Sequence, residues 1–279
     1  MNIKEALEYG IELLKTNKIE DPILKTKILL LNAINKPKEY LIINEQKEIE
    51  NEEVNTYKSF IELACKKIPL QYITKHQEFM ALDFYVDEGV LIPQPDTEIL
   101  VEEVLNIIKK EKSINVLDLC TGSGVIAIAV KKNINSVNVT ATDISKKALD
   151  IAKLNAKNND TDISFVFSDL FSNINKKYDI IVSNPPYIKT DIINTLSKEV
   201  QHEPKIALDG GQDGLDFYRK IIDEAYKYLV EDGYLCLEIG YDQRKEVIDL
   251  MNENGNYKDT YSKKDLSGND RIVICKKKQ

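Results

Sequence analysis

The chain of 279 residues has no tryptophan, only two histidines and only four cysteines. None of the cysteines forms a CxxC pair, and neither histidine has a partner at the spacing of a metal ligand. We therefore predict reduced thiols in a cytoplasmic protein and no metal site. Cys236 and Cys275 lie within apolar, strand-like runs, which is typical of small core residues.

The sequence also lacks a long apolar run and an excess of positive charge. No segment approaches the length of a transmembrane helix, and the first residues show no signal-peptide core, so we expect no membrane association. The net charge of −8 argues against broad attraction to nucleic acid, because such attraction depends on basic residues facing phosphates. A content of 43% hydrophobic and 30% charged residues is that of a globular protein with one large or two ordinary domains.

Residues 1–68 predict a small helical domain. Apolar residues recur there at helical spacing, and Asp21-Pro22 has the pattern of an N-cap followed by proline at the first helical position. Further helices are predicted after Pro37 and from about Glu52 to Lys67. Because this part holds no motif with chemical content, we interpret it as a packing or partner-docking module.

Ile68-Pro69 marks a boundary, and residues 69–93 are interpreted as a strand-rich linker. Within it, Asp87-Glu88-Gly89 is predicted to form the turn of a hairpin. Two prolines then favour an extended chain, and Asp96 or Thr97 is predicted to cap the helix that follows.

Strand-like and helix-like segments alternate through residues 94–279, which we interpret as the catalytic domain. Such alternation is typical of an α/β fold with a doubly wound, mostly parallel sheet. The strands are predicted at Asn115–Leu119, Asn138–Thr142, Ser164–Phe167, Asp179–Ser183, Tyr234–Ile239, Tyr257–Ser262 and Arg271–Cys275. The helices are predicted at Val125–Lys132, Lys146–Asn158, Asp216–Val230 and Gln243–Asn254. The last two strands lack a helix between them and are expected to form an antiparallel hairpin at the end of the sheet.

A loop with two glycines joins the first of these strands to the first of these helices. Gly122 and Gly124 would let the backbone approach a ligand closely. The loop lacks the third glycine of a phosphate-binding G-x-G-x-x-G motif and the GK[ST] of an NTPase loop. The candidate cofactor-binding residues of this loop are Cys120, Thr121, Gly122, Ser123 and Gly124.

Acidic residues end the second and third strands. Asp143 lies where the dinucleotide-binding fold uses a carboxylate to accept hydrogen bonds from ribose hydroxyls. The alternative is that Asp143 caps the helix beginning near Ser145; the ribose role is favoured because strand, loop and carboxylate occur in the expected order. Asp169 and Leu170 could meet the polar and apolar edges of an adenine, unless Asp169 is simply a turn residue.

Asn184-Pro185-Pro186-Tyr187 directly follows the fourth apolar strand. Two prolines remove amide donors and fix φ, so the strand must end there, and Asn184 is held in an extended conformation. We expect a stiff elbow, the name used below for Asn184–Tyr187, at the edge where open α/β sheets bind ligands. On these residues alone, a rigid turn without a chemical role remains the alternative.

With this loop, this acidic residue and this elbow, the chain resembles the class I S-adenosylmethionine-dependent methyltransferases. More narrowly, it resembles the HemK-type release factor glutamine N5-methyltransferases over nearly its whole length. The more specific segments are Pro93-Gln94-Pro95-Asp96-Thr97-Glu98 and Asp209-Gly210-Gly211 with Asp213-Gly214-Leu215. The family usually has arginine in place of Gln94 and glycine in place of Cys120, which suggests that position 120 tolerates a side chain while Gly122 and Gly124 make the close approach.

The resemblance implies a Rossmann-like sheet, a helical N-terminal domain that docks a protein, and S-adenosylmethionine as cofactor without a metal. It implies that release factors are the protein substrates, methylated on the glutamine of their Gly-Gly-Gln motif. Asn184 would contact both cofactor and substrate, and its side-chain oxygen and the Pro185 carbonyl would accept hydrogen bonds from the substrate amide. Tyr187 would pack on that amide, and Pro186 would keep the elbow rigid.

Three other functions stay open at this stage: methylation of a glutamine in a ribosomal protein, methylation of a nucleic-acid base, and an inactive cofactor-binding module. The acidic balance makes stable nucleic-acid binding unexpected. The length of segment 189–215 suggests a lid or a docking segment.

Overall fold

The computed structural model describes residues 1–109 and 114–279, which form two compact units. The first unit comprises Met1–His76 and Ser197–His202, and the second comprises Gln77–Leu196 and Glu203–Gln279.

The first unit is a group of helices around one apolar core. The helices are α1 (Ile3–Thr16), α2 (Pro22–Ile34), α3 (Tyr40–Ile43), α4 (Asn51–Cys65) and α5 (Leu70–Thr74). Tyr57 is fully buried in this core, and its hydroxyl donates a hydrogen bond of 2.8 Å to the carbonyl of Ala6. Pro22 takes the first helical position as predicted, but Asp21 is left-handed (φ 48°) and makes no capping side-chain bond within the described residues.

The second unit begins with two short antiparallel strands, β1 (Gln77–Phe79) and β2 (Leu82–Phe84). The turn between them is Met80-Ala81, and both residues have positive φ, as a two-residue hairpin of the I′ type requires. The predicted hairpin turn at Asp87-Glu88-Gly89 is therefore wrong. That segment forms a turn outside the strands, in which the Asp87 carboxylate accepts a hydrogen bond of 2.7 Å from the amide of Gly89.

Within the described residues, seven further strands form one sheet in the order β5-β4-β3-β6-β7-β9-β8. They are β3 (Asn115–Leu119), β4 (Asn138–Asp143), β5 (Ser164–Phe167), β6 (Tyr178–Ser183), β7 (Leu229–Glu238), β8 (Tyr257–Lys264) and β9 (Asp270–Lys277). The strands from β3 to β7 run parallel, whereas β9 is antiparallel to both β7 and β8. The predicted doubly wound, mostly parallel sheet with an antiparallel pair at its end is confirmed.

Helices cover both faces of this sheet. They are α6 (Glu98–Ile108), α7 (Val125–Asn133), α8 (Lys146–Asn158), α9 (Lys205–Leu208), α10 (Asp216–Tyr228) and α11 (Arg244–Asn254). Val116 and Ile180 belong to the core formed with α6 and α7, while their neighbours Leu117 and Ile181 belong to the core formed with α10 and α11. Burial on both faces explains why these strands are almost continuously apolar. No helix in the described ranges is both long enough and apolar enough to cross a membrane.

The order of the strands brings three loops together at one edge. Leu119 at the end of β3 pairs in register with Thr142 of β4 on one side and with Ser183 of β6 on the other. Successive strands are added to one side of β3 and then to the other, so the point between β3 and β6 is where the strand order reverses. In open α/β sheets, a crevice forms at this point and binds the ligand.

Candidate active site

A cavity of about 270 Å³ lies at this edge of the sheet. It brings together most of the residues that the sequence singled out. Those that line it are Cys120, Thr121, Gly122, Ser123, Asp143, Asp169, Leu170, Asn184 and Pro186. Of the described residues, Gly124, Pro185 and Tyr187 are the remaining predicted site residues, and they lie outside its lining.

The two glycines of the β3–α7 loop have different roles. Gly122 has a φ of +55°, and a methyl group there would meet no described atom within 4 Å, so this glycine faces open space. A methyl group at Gly124 would lie 3.0 Å from Ile128 and 3.1 Å from Ala152, so Gly124 allows the packing of α7 on α8. Gly124 therefore has a packing reason of its own, while the close approach of Gly122 to a ligand stays a prediction. Cys120 has a φ of +57°, a conformation that costs a side-chain-bearing residue about 1 kcal/mol.

Asp118, in strand β3, holds the β3–α7 loop in place through hydrogen bonds. Its carboxylate accepts hydrogen bonds from the Thr121 hydroxyl (2.6 Å) and the Ala127 amide (3.2 Å). Burial raises the pKa of Asp118 to about 7, although these two bonds lower it. The sequence indicates no role for Asp118 beyond its place in the strand Asn115–Leu119, because it does not show that the loop folds back onto this residue.

Asp143 connects the ends of two strands. Its carboxylate accepts hydrogen bonds from the Gly122 amide (2.9 Å) and the Ser145 amide (2.8 Å). Burial raises its pKa, and these backbone bonds lower it. The cap of α8 is Ser145, whose hydroxyl accepts from the Ala148 amide, so the alternative role considered for Asp143 is filled by its neighbour.

Two apolar side chains are exposed to the same cavity. Leu170 lines it as predicted, and so does Ile144, which the sequence interpretation passed over. Ile144 is 46% exposed and lines the cavity. Its position directly after Asp143 was the available signal.

The elbow begins directly after the end of β6, which is hydrogen-bonded to β3. The Ser183 hydroxyl donates a hydrogen bond of 2.8 Å to the carbonyl of Leu119, which fixes the strand end. The side-chain amide of Asn184 then donates through Nδ2 to the hydroxyl of Thr97 at 3.2 Å. Asn184 is thereby held at the cavity wall by a residue 87 positions earlier in the chain.

Thr97 and Asp96 were both predicted as possible caps of α6. The helix does begin at Glu98, but within the described residues neither side chain makes the capping bond. Thr97 is engaged by Asn184 instead, and Asp96 forms an ion pair with Arg271 at 3.0 Å. Partners far away in sequence therefore replace the local role that the pattern indicated.

Tyr187 is the last residue of the elbow. Its hydroxyl donates to the carboxylate of Glu238 at 3.4 Å, and its ring packs against the core beneath α10 and α11. Burial raises the pKa of Glu238 to about 7, while nearby Thr97 and Arg271 lower it. This placement makes Tyr187 an anchor of the elbow.

The glycine-rich segment 209–214 lies directly against the backbone of the elbow. The amide of Gly210 donates to the carbonyl of Ile188 at 2.8 Å, and a methyl group on Gly210 would come within 2.6 Å of the Tyr187 Cα. The side-chain amide of Gln243 donates to the carbonyls of Tyr187 (3.0 Å) and Gly214 (3.1 Å). Close backbone approach thus explains Gly210 and Gly214, whereas Gly211, with a φ of +92°, lies against the carboxylate of Asp216. Gln243 was missed, although a polar residue beginning a helix after an apolar strand was a usable signal.

Glu203 joins two segments of the cavity wall. Its carboxylate accepts a hydrogen bond of 2.9 Å from the amide of Ile92, and the cavity lining includes residues on both sides of this contact, among them Pro93 and Pro204. Burial raises the pKa of Glu203 to about 7, and the bond from Ile92 lowers it.

Replacing Glu203 by glutamine, which keeps an acceptor oxygen, is expected to reduce the pH dependence of stability. Because the folded-state pKa is raised from 4.5 to about 7, the folded chain holds a proton that the unfolded chain has released. The wild-type free energy of unfolding should therefore lose up to about 3 kcal/mol relative to Glu203→Gln as the pH rises through this window. Urea unfolding of both proteins at pH values on either side of the window checks this. If the free energies of unfolding of the two proteins changed equally with pH, the pKa of Glu203 would not be raised in the folded state.

No group of three or more His, Cys, Asp or Glu side chains within the described ranges is arranged to hold a metal ion.

Comparison with known proteins gives matches along the whole chain. Residues 5–74 match the model of the PrmC N-terminal domain, and residues 95–209 match that of the methyltransferase small domain. A release factor glutamine methyltransferase of Clostridium acetobutylicum is 41% identical over 281 residues, covering 99% of this chain and 98% of its own. One from Fusobacterium nucleatum is 42% identical and covers 98% of this chain and 78% of its own. Among solved structures, a methyltransferase from Pyrococcus furiosus matches with a TM-score of 0.54 and 22% identity, over 71% of this chain and 90% of that one, which supports the fold.

Proposed function

Because the chain belongs to the release factor glutamine methyltransferase family, we propose that it transfers the methyl group of S-adenosylmethionine to the side-chain amide nitrogen (N5) of a glutamine in a peptide chain release factor. The supporting observation is the placement of Asn184. Its Nδ2 is directed to Thr97 while the residue lines the cavity, which leaves Oδ1 to accept a hydrogen bond from a substrate amide.

The chemical problem is that an amide nitrogen is a poor nucleophile, because its lone pair is delocalised into the carbonyl. Two acceptors, Oδ1 of Asn184 and the carbonyl of Pro185, would bind the two N–H groups of the substrate and orient the nitrogen. Positioning of this kind contributes about 7–11 kcal/mol in favourable cases. S-Adenosylmethionine, when bound, supplies a methyl group activated by its sulfonium. The methylated nitrogen loses its extra proton readily, so the proposal assigns no general base.

The cavity residues fit this cofactor. Gly122 leaves room beside the β3–α7 loop, and the Asp143 carboxylate, which lines the same cavity, would accept hydrogen bonds from ribose hydroxyls. Ile144 and Leu170 provide apolar surface suited to an adenine ring. Asp169, which is exposed at the same wall, is proposed for the polar edge of that ring.

Replacing Asp143 by alanine is expected to weaken binding of S-adenosylmethionine by about 10–100-fold, since it removes charged hydrogen bonds to the ribose and the acceptor that holds Gly122. Isothermal titration calorimetry measures the dissociation constant. Asp169→Ala, which removes only the contact proposed at the exposed edge of the adenine, should weaken binding less than Asp143→Ala. An unchanged dissociation constant for Asp143→Ala would remove Asp143 from the cofactor site.

The helical unit is proposed to dock the release factor. It matches the PrmC N-terminal domain and exposes the neighbouring apolar side chains Ile42 and Ile43, each 79% accessible. A cytoplasmic location goes with this function, and the four cysteines, all free thiols, agree with it.

Mass spectrometry of a purified release factor, incubated with this protein and S-adenosylmethionine, tests the proposal. We expect the mass of one added methylene group on the glutamine of the Gly-Gly-Gln peptide. Transfer to a ribosomal protein or to DNA, without transfer to the release factor, would overturn the substrate. Absence of transfer to all three would overturn the activity.

A further inference from the structure

One side of the cavity has no part in the contacts proposed above for the cofactor and for the substrate amide. It consists of Pro204, Ile206 and Ala207, at and just before helix α9, and of Phe217 and Lys220 on α10. These five residues are called the α9–α10 wall below. Ile206 is 54% exposed and Phe217 is only partly buried, so the wall offers apolar surface together with one charged group.

The α9–α10 wall is joined to the elbow. The amide of Ile188, the first residue after the elbow, donates to the carbonyl of Leu208 in α9 at 2.9 Å, and the carbonyl of Ile188 accepts from Gly210 at 2.8 Å. Phe217 and Tyr187 pack against the same core. The position of the wall is therefore fixed relative to the elbow, where the proposed function places the substrate amide.

Lys220 is the only basic residue in the part of the cavity lining that the structure describes. Its Nζ lies 5.5 Å from the centroid of the Phe217 ring, three positions earlier on the same helix. The neighbouring Arg219 is engaged by Asp213 and Asp216, whereas Lys220 forms no ion pair with a described residue. A lysine ammonium has three N–H donors and no acceptor, so Lys220 can donate to a ligand in the cavity.

The main chain of the substrate must lie close to this wall. The amide nitrogen of a glutamine is four bonds away from its Cα, so a glutamine bound at the elbow has its Cα within about 6 Å of that site. The main chain there carries carbonyl groups whatever the sequence of the substrate. A carbonyl that leaves water on binding needs a new donor, because an unpaired buried acceptor is costly.

The rival ligand of the wall is the cofactor, because Leu170, which is proposed for the adenine, packs against the same core as Phe217. Charge favours the substrate. S-Adenosylmethionine carries two positive charges and one negative charge, so a further cation beside it is unfavourable on balance. Main-chain carbonyl oxygens carry partial negative charge and attract a cation.

We propose that the α9–α10 wall is a subsite for the substrate main chain next to the reactive glutamine. Lys220 donates hydrogen bonds to main-chain carbonyls, and the Phe217 ring holds the ammonium in place and packs against the chain. The inference rests on the proposed function and deepens it, since it names a part of the substrate, other than the reactive amide, that the cavity recognises.

Lys220→Met keeps an unbranched apolar side chain without the charge, and Lys220→Arg keeps the charge. We expect Lys220→Met to raise the KM for release factor about 10-fold, because a charge-assisted hydrogen bond is lost. The kcat at saturation and the Kd for S-adenosylmethionine should change little, and Lys220→Arg should stay near the wild type. Lys227→Met is the matched control. Lys227 lies on the same helix with its Nζ 5.7 Å from the Tyr226 ring, but outside the described cavity lining, and its loss should leave all three constants unchanged.

A wild-type KM for Lys220→Met, or an equal rise in Lys227→Met, would overturn the subsite. A raised Kd for S-adenosylmethionine with an unchanged KM for release factor would also overturn it and assign the wall to the cofactor.

A second measurement does not depend on turnover. Calorimetric titration of release factor into the protein saturated with S-adenosylhomocysteine, which lacks the methyl group, should give a Kd about 10-fold higher for Lys220→Met than for the wild type and Lys227→Met. Equal Kd values for the three proteins would overturn the subsite. If the wild type transfers no methyl group to the release factor, the proposed function fails, whereas this binding comparison still decides the subsite.

Discussion

Asn184→Ala is expected to lower kcat for methylation of the release factor glutamine by about 10³-fold, with little change in the dissociation constant of S-adenosylmethionine. The side chain is the polar group of the elbow that lines the cavity, and its Nδ2 is already engaged by Thr97. Its loss removes an acceptor that orients the reacting nitrogen and leaves the β3–α7 loop and Asp143 untouched. Single-turnover methylation with saturating cofactor, together with calorimetric titration of the cofactor, separates these effects.

Asn173→Ala is a matched control for this variant. Asn173 also has a side-chain amide bonded to one partner, the carbonyl of Phe167 at 2.8 Å, but it lies outside the cavity lining defined by the described residues. We expect it to keep the wild-type kcat. If Asn184→Ala keeps its activity as well, the elbow is a rigid turn without a chemical role. If Asn184→Ala loses cofactor binding and transfer to the same extent, Asn184 belongs to the cofactor site rather than to the substrate site.

Gly214→Ala is expected to lower the free energy of unfolding strongly and to lower kcat as well. Gly214 has a φ of +78°, and an added methyl group would lie 2.5 Å from the carbonyl oxygen of Tyr187 and 2.7 Å from Nε2 of Gln243. Backbone must therefore move, and the bridge from Gln243 to Tyr187 must lengthen or break. We expect a loss of about 3 kcal/mol in the free energy of unfolding, from overpacking and left-handed strain together. A shift of the elbow by about 1 Å would also lower kcat about 10²-fold.

Gly268→Ala separates the two causes. Its φ of +87° carries the same kind of strain, but a methyl group there meets no described atom within 4 Å. It should lose only about 1 kcal/mol and keep its activity. Urea unfolding and steady-state kinetics of both variants make the comparison. Equal destabilisation of the two proteins, with activity retained, would show that Gly214 is needed for its backbone conformation alone.

The sheet and its helices were predictable because their signals are local and repeated. Strand-length apolar runs alternate with helical patterns, and the observed ends of β3, β4 and β5 differ from the predicted ones by at most one residue. The hairpin between β1 and β2 was missed because its left-handed turn is Met80-Ala81, whereas Gly89 offered a more favourable composition nearby. Tertiary packing of the flanking strands overrides that preference.

Only the parts of the candidate site that belong to short sequence motifs were predictable. Gly122 and Gly124 look equivalent in sequence, and only the position of Ala152 shows that Gly124 serves helix packing. Thr97 precedes a helix, so its position predicts an N-cap. In the structure its hydroxyl instead accepts a hydrogen bond from Asn184. Glu238 has no local signal beyond its place at the end of an apolar strand. Side chains whose role is fixed by residues far away in the chain cannot be assigned from spacing.

The place of β9 in the sheet has a consequence for how the molecule is made. This strand, the last in chain order, lies between β7 and β8, and it carries Arg271, the cation that faces Glu238 behind the elbow. During synthesis, the strands that form the cofactor cavity leave the ribosome well before this arginine does. Because a domain generally folds as a unit, the sheet and the rear support of Asn184 and Tyr187 are completed only after this last strand has been synthesised.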